Sequence, residues 1–335
     1  MSGRGSTARR LLGGIALVLG GAALWAVVVS GPKADAQPPR LFTSSEQCKE
    51  CHVDVYAEWE ESWHSRSWTD PDVRALSNDF ANADCIDCHA PQPVFETGIG
   101  QRVLPRAARR AEGVDCITCH MLPANHVSGG TVAGTRDAPD AACKPAAVRD
   151  LGSADFCAVC HDQHETTKQW RATEYAAKGI GCIDCHMKPR ADGKGGRDHR
   201  MHGGHDIELV RSAVTFRGGR VGGKWVVEVE NSGAGHHFPT EERSRAADVF
   251  WRPLGKTSVE SWRHAYRFRT PYRHENLPET LLPAHETKSI PIEGEGADGA
   301  IEVVLFYSLR PYWADPARPD PEREAKVVHR LELRP

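Results

Sequence analysis

The chain has 335 residues, a formal net charge of −3 and an ordinary hydrophobic share for a soluble protein. That length leaves room for two domains. The near-balanced charge, with no long basic run, argues against a nucleic-acid binder. The informative counts are 17 histidines and 11 cysteines.

The first residues read as an export signal. Arg4, Arg9 and Arg10 precede an apolar run from Leu11 to Val29, and Ala34-Asp35-Ala36 forms a small-residue cleavage site, so 1–36 is assigned as leader. The run of 19 residues also suits a bilayer span, so a cleaved signal peptide and an uncleaved anchor over 11–29 both fit. Either way the positive-inside rule sends the rest of the chain across the membrane, to the periplasm. A polar linker follows over 37–47.

Residues 48–205 hold five copies of one pattern: CKECH at 48–52, CIDCH at 85–89, CITCH at 116–120, CAVCH at 157–161 and CIDCH at 182–186. Their spacing is irregular, which excludes a solenoid. Between the first and second, Val53, Tyr56, Trp59 and Trp63 recur at a helical step, which predicts a helix over 53–67. Residues 187–205, rich in Gly, basic residues and His, read as a loop. Beyond about 206 the texture changes to strand-like runs at Ala213–Phe216, Trp225–Val229, Ala300–Tyr307 and Lys326–Leu333, separated by Gly- and Pro-containing stretches. The expectation is a mainly α domain with short helices and long loops over 48–205, then a smaller, mostly β domain, a sandwich, over 206–335.

Paired cysteines in an exported protein ordinarily mean disulfides. Here every second cysteine is followed by a histidine. Two cysteines three apart on one helical turn can each form a thioether to a haem vinyl group, and the histidine then places a ring nitrogen on the iron from the same side. A single such motif is weak evidence, because zinc half-sites and redox dithiols look alike. Five behind an export signal predict five covalently attached c-type haems, on Cys48 and Cys51, Cys85 and Cys88, Cys116 and Cys119, Cys157 and Cys160, and Cys182 and Cys185, with His52, His89, His120, His161 and His186 as proximal ligands. The domain is short of long aliphatic runs, and porphyrins would supply the missing apolar surface, so the fold is expected to wrap around its cofactors. Cys143 is left over and reads as a plain thiol.

The second axial ligand sets potential and reactivity. Met121 and Met187 directly follow a proximal histidine and are badly placed for the opposite face of that haem; only Met201 is free. Twelve further histidines point to mostly bis-His haems. His64 stands 12 residues after His52, too far along one helix to share its iron, and is assigned to a different haem. His126, His199 and His205 are the other candidates of the attachment region, with His202 also in the Gly-rich loop. His164 lies too close to His161 to be favoured. In the tail, the GAGHHFPT element at 233–240 puts His236, more than His237, on a tight loop that can reach a haem. His264, His274, His285 and His329 sit in charged or strand-like contexts and read as surface histidines. Trp59, Trp63, Trp68 and Trp170 read as packing residues.

These segments resemble the cytochrome c-554 family of multihaem cytochromes. The likeness rests on CKECHVDVYAEWEESWHSRSW at 48–68, CHM at 119–121 and 185–187, DHRMHGGHD at 198–206 and GHHFPT at 235–240. The resemblance implies closely stacked, mostly bis-His haems passing electrons in the periplasm, with His64, His199 and His236 as distal ligands. It departs from this chain in haem number, four in the family's central fold against five motifs here, and at Glu241, where Gly is usual.

The reading preferred from the sequence is an electron carrier working with redox proteins of the periplasm or inner membrane. The alternative is an oxidoreductase acting on a small nitrogen or sulfur compound at a haem with an open distal position; the CxxCK motif that would signal it most clearly is absent, and no carboxylate pair stands out for acid–base work.

Overall fold

The computed structural model describes residues 42–162, 165–240, 245–270, 278–310 and 312–335. The leader, His164, Glu241 and His274 lie outside them. Among the described residues no helix is long and apolar enough to cross a membrane.

Between residues 42 and 205 the chain forms short helices joined by loops. Four of the five motifs sit in such helices: Ile86–His89, Cys116–His120, Ala154–His161 and Cys182–His186. Local sequence starts each one. Asp115 Oδ1 accepts from Thr118 N at 2.8 Å, Ser153 Oγ from Phe156 N at 3.1 Å, and Asn82 Oδ1 caps the turn into Cys85. Asp184 bonds back to Gly181 N at 2.8 Å. The first motif differs. A turn of helix, Glu46–Lys49, ends inside it, and His52 is the residue that precedes the helix Val53–Glu61.

The helix expected over 53–67 breaks at Ser62. That residue is extended (φ −73°, ψ 160°), and its hydroxyl caps a second short helix, Trp63–Arg66, by accepting from Ser65 N. A serine side chain competes with the helical backbone and favours caps over interiors, which is why the apolar period continues while the helix does not. Tyr56 and Trp59 are buried, and Trp59 Nε1 donates to Val114 O. Two strands were not foreseen here: β1 (Val132–Gly134) pairs in parallel with β2 (Pro145–Ala147). The 187–205 loop is also more ordered than its composition suggests, since backbone bonds Asp198 N to Lys188 O and Arg190 N to Gly196 O close it into a narrow hairpin.

After the helix Ile207–Ala213 come two antiparallel sheets. β3 (Thr215–Val221), β4 (Lys224–Glu230) and β7 (Thr287–Pro291) form one, in the order β3-β4-β7. β5 (Ala246–Pro253), β6 (Arg263–Arg269), β8 (Ile301–Ser308) and β9 (Lys326–Leu333) form the other, in the order β6-β5-β8-β9. Alternation in β4 sends Trp225, Val227 and Val229 inward, against Val249, Trp251, Phe268, Val303 and Leu305 of the second sheet. One core fills the sandwich. The outer face of the second sheet is covered as well, by Trp262 and Trp313 over Phe250, Val304 and Phe306. β5 and β8 are therefore buried on both faces. On that outer face the buried Asp248 pairs with Arg267 and His264, both at 2.8 Å.

Residues 42–335 make one compact unit, so the sequence boundary at 205/206 is a change of architecture within it. Contacts across the boundary are specific. Gln169 Oε1 accepts from His237 N, Tyr175 stacks on His285, and Arg310 pairs with Asp72.

Candidate haem-binding site

No disulfide joins the cysteines of the motifs. They lie beside one another across motifs: Cys48 bonds Cys116, Cys88 bonds Cys160, and Cys157 bonds Cys182. Cys119 is close enough to Cys157 and Cys160 to be felt by both thiols. Burial pushes the Cys119 thiol up to about 12, while the bond from Cys157 draws Cys182 down to about 7. Motif four thus borders motifs two, three and five, and motif three borders motif one. Sequence spacing alone could not show this.

Three proximal histidines each face a second imidazole. The ring centroids of His120 and His199 are 6.3 Å apart, those of His186 and His236 6.4 Å, and those of His64 and His161 5.9 Å. Imidazole nitrogen bonds a metal such as zinc at about 2 Å, so two trans bonds and a ring radius at each end separate the centroids by about 6 Å. The three spacings match that of two rings sharing one metal ion.

The other ring nitrogens support this reading. His120 Nδ1 donates to Ala133 O at 2.8 Å, His199 Nδ1 to Arg197 O at 2.8 Å, His186 Nδ1 to His202 O at 2.5 Å and His236 Nδ1 to His237 O at 2.9 Å. Such bonds fix the tautomer and leave Nε2 as the ligating atom. The β1–β2 pair has its purpose here, because β1 supplies the carbonyl that orients His120. Burial lowers the pKa of His120, His199 and His236, and holds His64 at about 3, so each ring is neutral, the form that binds metal.

Backbone close approach places two of the distal candidates. Val114 N donates to His64 O at 2.9 Å, and a Cβ on Gly113 (φ +59°) would stand 2.3 Å from that same carbonyl. A Cβ on Gly233 would stand 2.3 Å from Ser212 O, so only glycine lets the loop bearing His236 fold down onto the helix Ile207–Ala213. Asn231 holds the loop by donating to His236 O.

The remaining candidates are placed differently. His126 turns back on its own loop, where Ser128 Oγ engages Nδ1 at 2.7 Å, and its ring meets no motif histidine among the described residues. His205 stacks on Trp63 at 3.5 Å and accepts from Arg245 at 3.2 Å through Nε2. His202 lies between Asp206 (2.6 Å) and Asp198 (3.4 Å). Met201, the one methionine left open by the sequence, puts its sulfur against His64 Nδ1. His89 is oriented by Ser67 O at 2.8 Å with Phe80 beside its ring, and His52 is exposed. Neither has an imidazole opposite it among the described residues. His329, read as a surface residue, is instead part-buried and bonded to Arg211 O and Val214 O, which ties β9 to the preceding helix.

Two groups of residues were missed. Asp115, fully buried, caps the third motif and is held by Arg106 and Arg109, both at 3.0 Å. Glu58, also buried, accepts from His199 N at 3.1 Å. Nothing in the sequence sets these carboxylates apart from their exposed neighbours.

Residues 47–121, which contain the first three motifs, match the family described as cytochrome c554 and c-prime. The fold is similar to that of a penta-heme cytochrome c552 from Thermochromatium tepidum, at 20% identity and a TM-score of 0.61, over 89% of this chain and 100% of that one. The family match and the fold together support a multihaem c-type cytochrome. Haem c is the cofactor that these likenesses support, and the paired imidazoles and neighbouring thiols fit that group. Two superoxide reductases, one of them from Nanoarchaeum equitans at 15% identity, align over 36–37% of the cytochrome and 87–94% of their own chains, with TM-scores of 0.20 that carry no weight. No curated protein matches the sequence.

Proposed function

We propose that the cytochrome binds five haems, one on each CxxCH motif, and carries electrons between respiratory redox proteins in the periplasm, where 11–29 serves as leader or inner-membrane anchor. The observation that carries the proposal is the set of three imidazole pairs at 5.9–6.4 Å. An iron with two histidines has no free position for a substrate, so such haems exchange electrons only. The thiol contacts between motifs add a route: haems attached to neighbouring thiols would lie side by side, and electrons would hop from one to the next.

In this reading the haems supply one-electron chemistry, and the chain supplies position. His120 and His199, His186 and His236, and His161 and His64 would each hold one haem iron between them. Backbone carbonyls hold four of these rings, those of His120, His199, His186 and His236, in place, which would keep their ligand sets the same in both oxidation states. His64 serves a haem other than that of His52, because the break at Ser62 turns it toward His161. His126 and His205, candidates in the sequence, are left out of the ligand set: one is bound into its own turn and the other is bonded by Arg245.

A second reading rests on His52 and His89, which face no other imidazole among the described residues. A haem there would offer an open position, and an oxidoreductase acting on a small nitrogen or sulfur compound would use it. Spin state separates the two. For the carrier, five haems per chain by pyridine haemochrome assay and a wholly low-spin spectrum in both oxidation states are expected. A high-spin haem that binds nitrite or hydroxylamine would favour the enzyme, and fewer than five haems would overturn the stoichiometry.

A further inference from the structure

The helix Val53–Glu61 begins at His52, the proximal histidine of the first motif, and leads within one cap to His64, which faces His161 of the fourth. Between them, Glu58 reaches a third place. It is 8% exposed, on a helix whose other acids, Asp54, Glu60 and Glu61, lie in solvent. Its Oε2 accepts from the backbone N–H of His199 at 3.1 Å, and its Oε1 faces Arg190 Nε at 3.4 Å. Arg190 is itself nine-tenths buried, and its Nε makes no hydrogen bond. Arg190 also pairs with Asp192 at 2.8 Å and Asp54 at 3.7 Å, so its charge is shared among three carboxylates and neutralises Glu58 only in part.

A carboxylate taken out of water is costly, and a glutamine would satisfy the same N–H without the charge. The buried charge is therefore unexplained by hydrogen bonding alone. What singles the position out is His199, whose ring stands 6.3 Å from that of His120. A fixed charge in a low-dielectric region acts strongly on a nearby iron, whose own charge changes by one on reduction. A negative charge stabilises the oxidised form.

We propose that Glu58, with Arg190 as its counterweight, is a positioning residue that lowers the potential of the haem held by His120 and His199 and leaves the other haems nearly untouched. The inference rests on the ligand assignment proposed above. It gives the first motif's helix a second task, that of setting the energy of a haem attached elsewhere.

The test is potentiometric titration of the full-length holoprotein followed by low-temperature electron paramagnetic resonance, with Glu58→Gln, Arg190→Gln and His199→Ala compared with the natural chain. Glu58→Gln retains the acceptor for His199 N, so all haem signals are expected to stay low-spin while one midpoint rises. Arg190→Gln is expected to lower that same midpoint. If no midpoint moves in Glu58→Gln, or all move together, or the affected haem turns high-spin, the proposal is overturned. His199→Ala tests the assignment separately. It should turn one haem high-spin; if every haem stays low-spin, His199 is not a ligand, whatever the glutamine variant does.

Discussion

The two regions of the cytochrome are stabilised by different means. In the β region, Val227, Val229, Val249, Ile301, Val303 and Leu305 are fully buried between two sheets, and a second aromatic cluster covers the outer face. The attachment region has only small clusters, around Val94, Val103 and Phe156 and around Leu122, Ala133 and Ala146, and three thiols of two motifs, Cys119, Cys157 and Cys160, pack at the edge of the first. Side-chain burial is enough to order the first region. In the second, the thiols and imidazoles converge on places where a large apolar group is expected to complete the core. The fold here and the cofactor are thus one problem, whereas the sandwich is a fold of its own that brings His236 to within 6.4 Å of His186.

The largest expected effect follows directly. Replacing the attachment cysteines by alanine should abolish the helical circular-dichroism signal of residues 48–205 and leave slow amide exchange in β5 and β8. Equal loss of protection in both regions would show that the sandwich does not fold independently of haem. Next, Phe268→Ala, in the sandwich core at 1% exposure, should cost about 3–5 kcal/mol in denaturant unfolding of the β region, with the haem spectrum unchanged. A spectral shift at low denaturant would mean that the core also fixes His236. Asp115→Ala removes the cap of the third motif and leaves Arg106 buried without its carboxylate, a loss of about 3–5 kcal/mol expected in the attachment region. Ser153→Ala removes the cap of the fourth motif's helix alone and should cost about 1 kcal/mol. At the bottom of the scale, Lys168→Ala breaks an exposed pair with Glu165 and should leave the unfolding midpoint of either region where it was.

Legibility in the sequence differed between the regions for a physical reason. Thioether attachment demands a fixed local spacing, so all five motifs could be read directly, and four lie on short helices as that spacing requires. β4 was visible because it alternates. β5 was not, because its two alanines, Asp248 and Arg252 dilute the β-branched and aromatic run that made the equally buried β8 legible, and β6 was hidden by its arginines, which lie over Trp251, Trp313 and Tyr312. The break at Ser62 was missed because an apolar period says which face is buried, not whether the backbone hydrogen bonds continue.

Composition and motif spacing pointed to haem attachment and to histidine, not methionine, as the residue opposite the motif histidines. Which histidine meets which depended on the tertiary structure. His199 lies 79 residues from His120, His64 lies 97 from His161, and His236 reaches His186 from another architecture altogether. A distal ligand needs only a nitrogen at the right point in space. No local spacing encodes that point; it is set by Gly113, Gly233 and the carbonyls of Ala133 and Arg197, held where packing puts them.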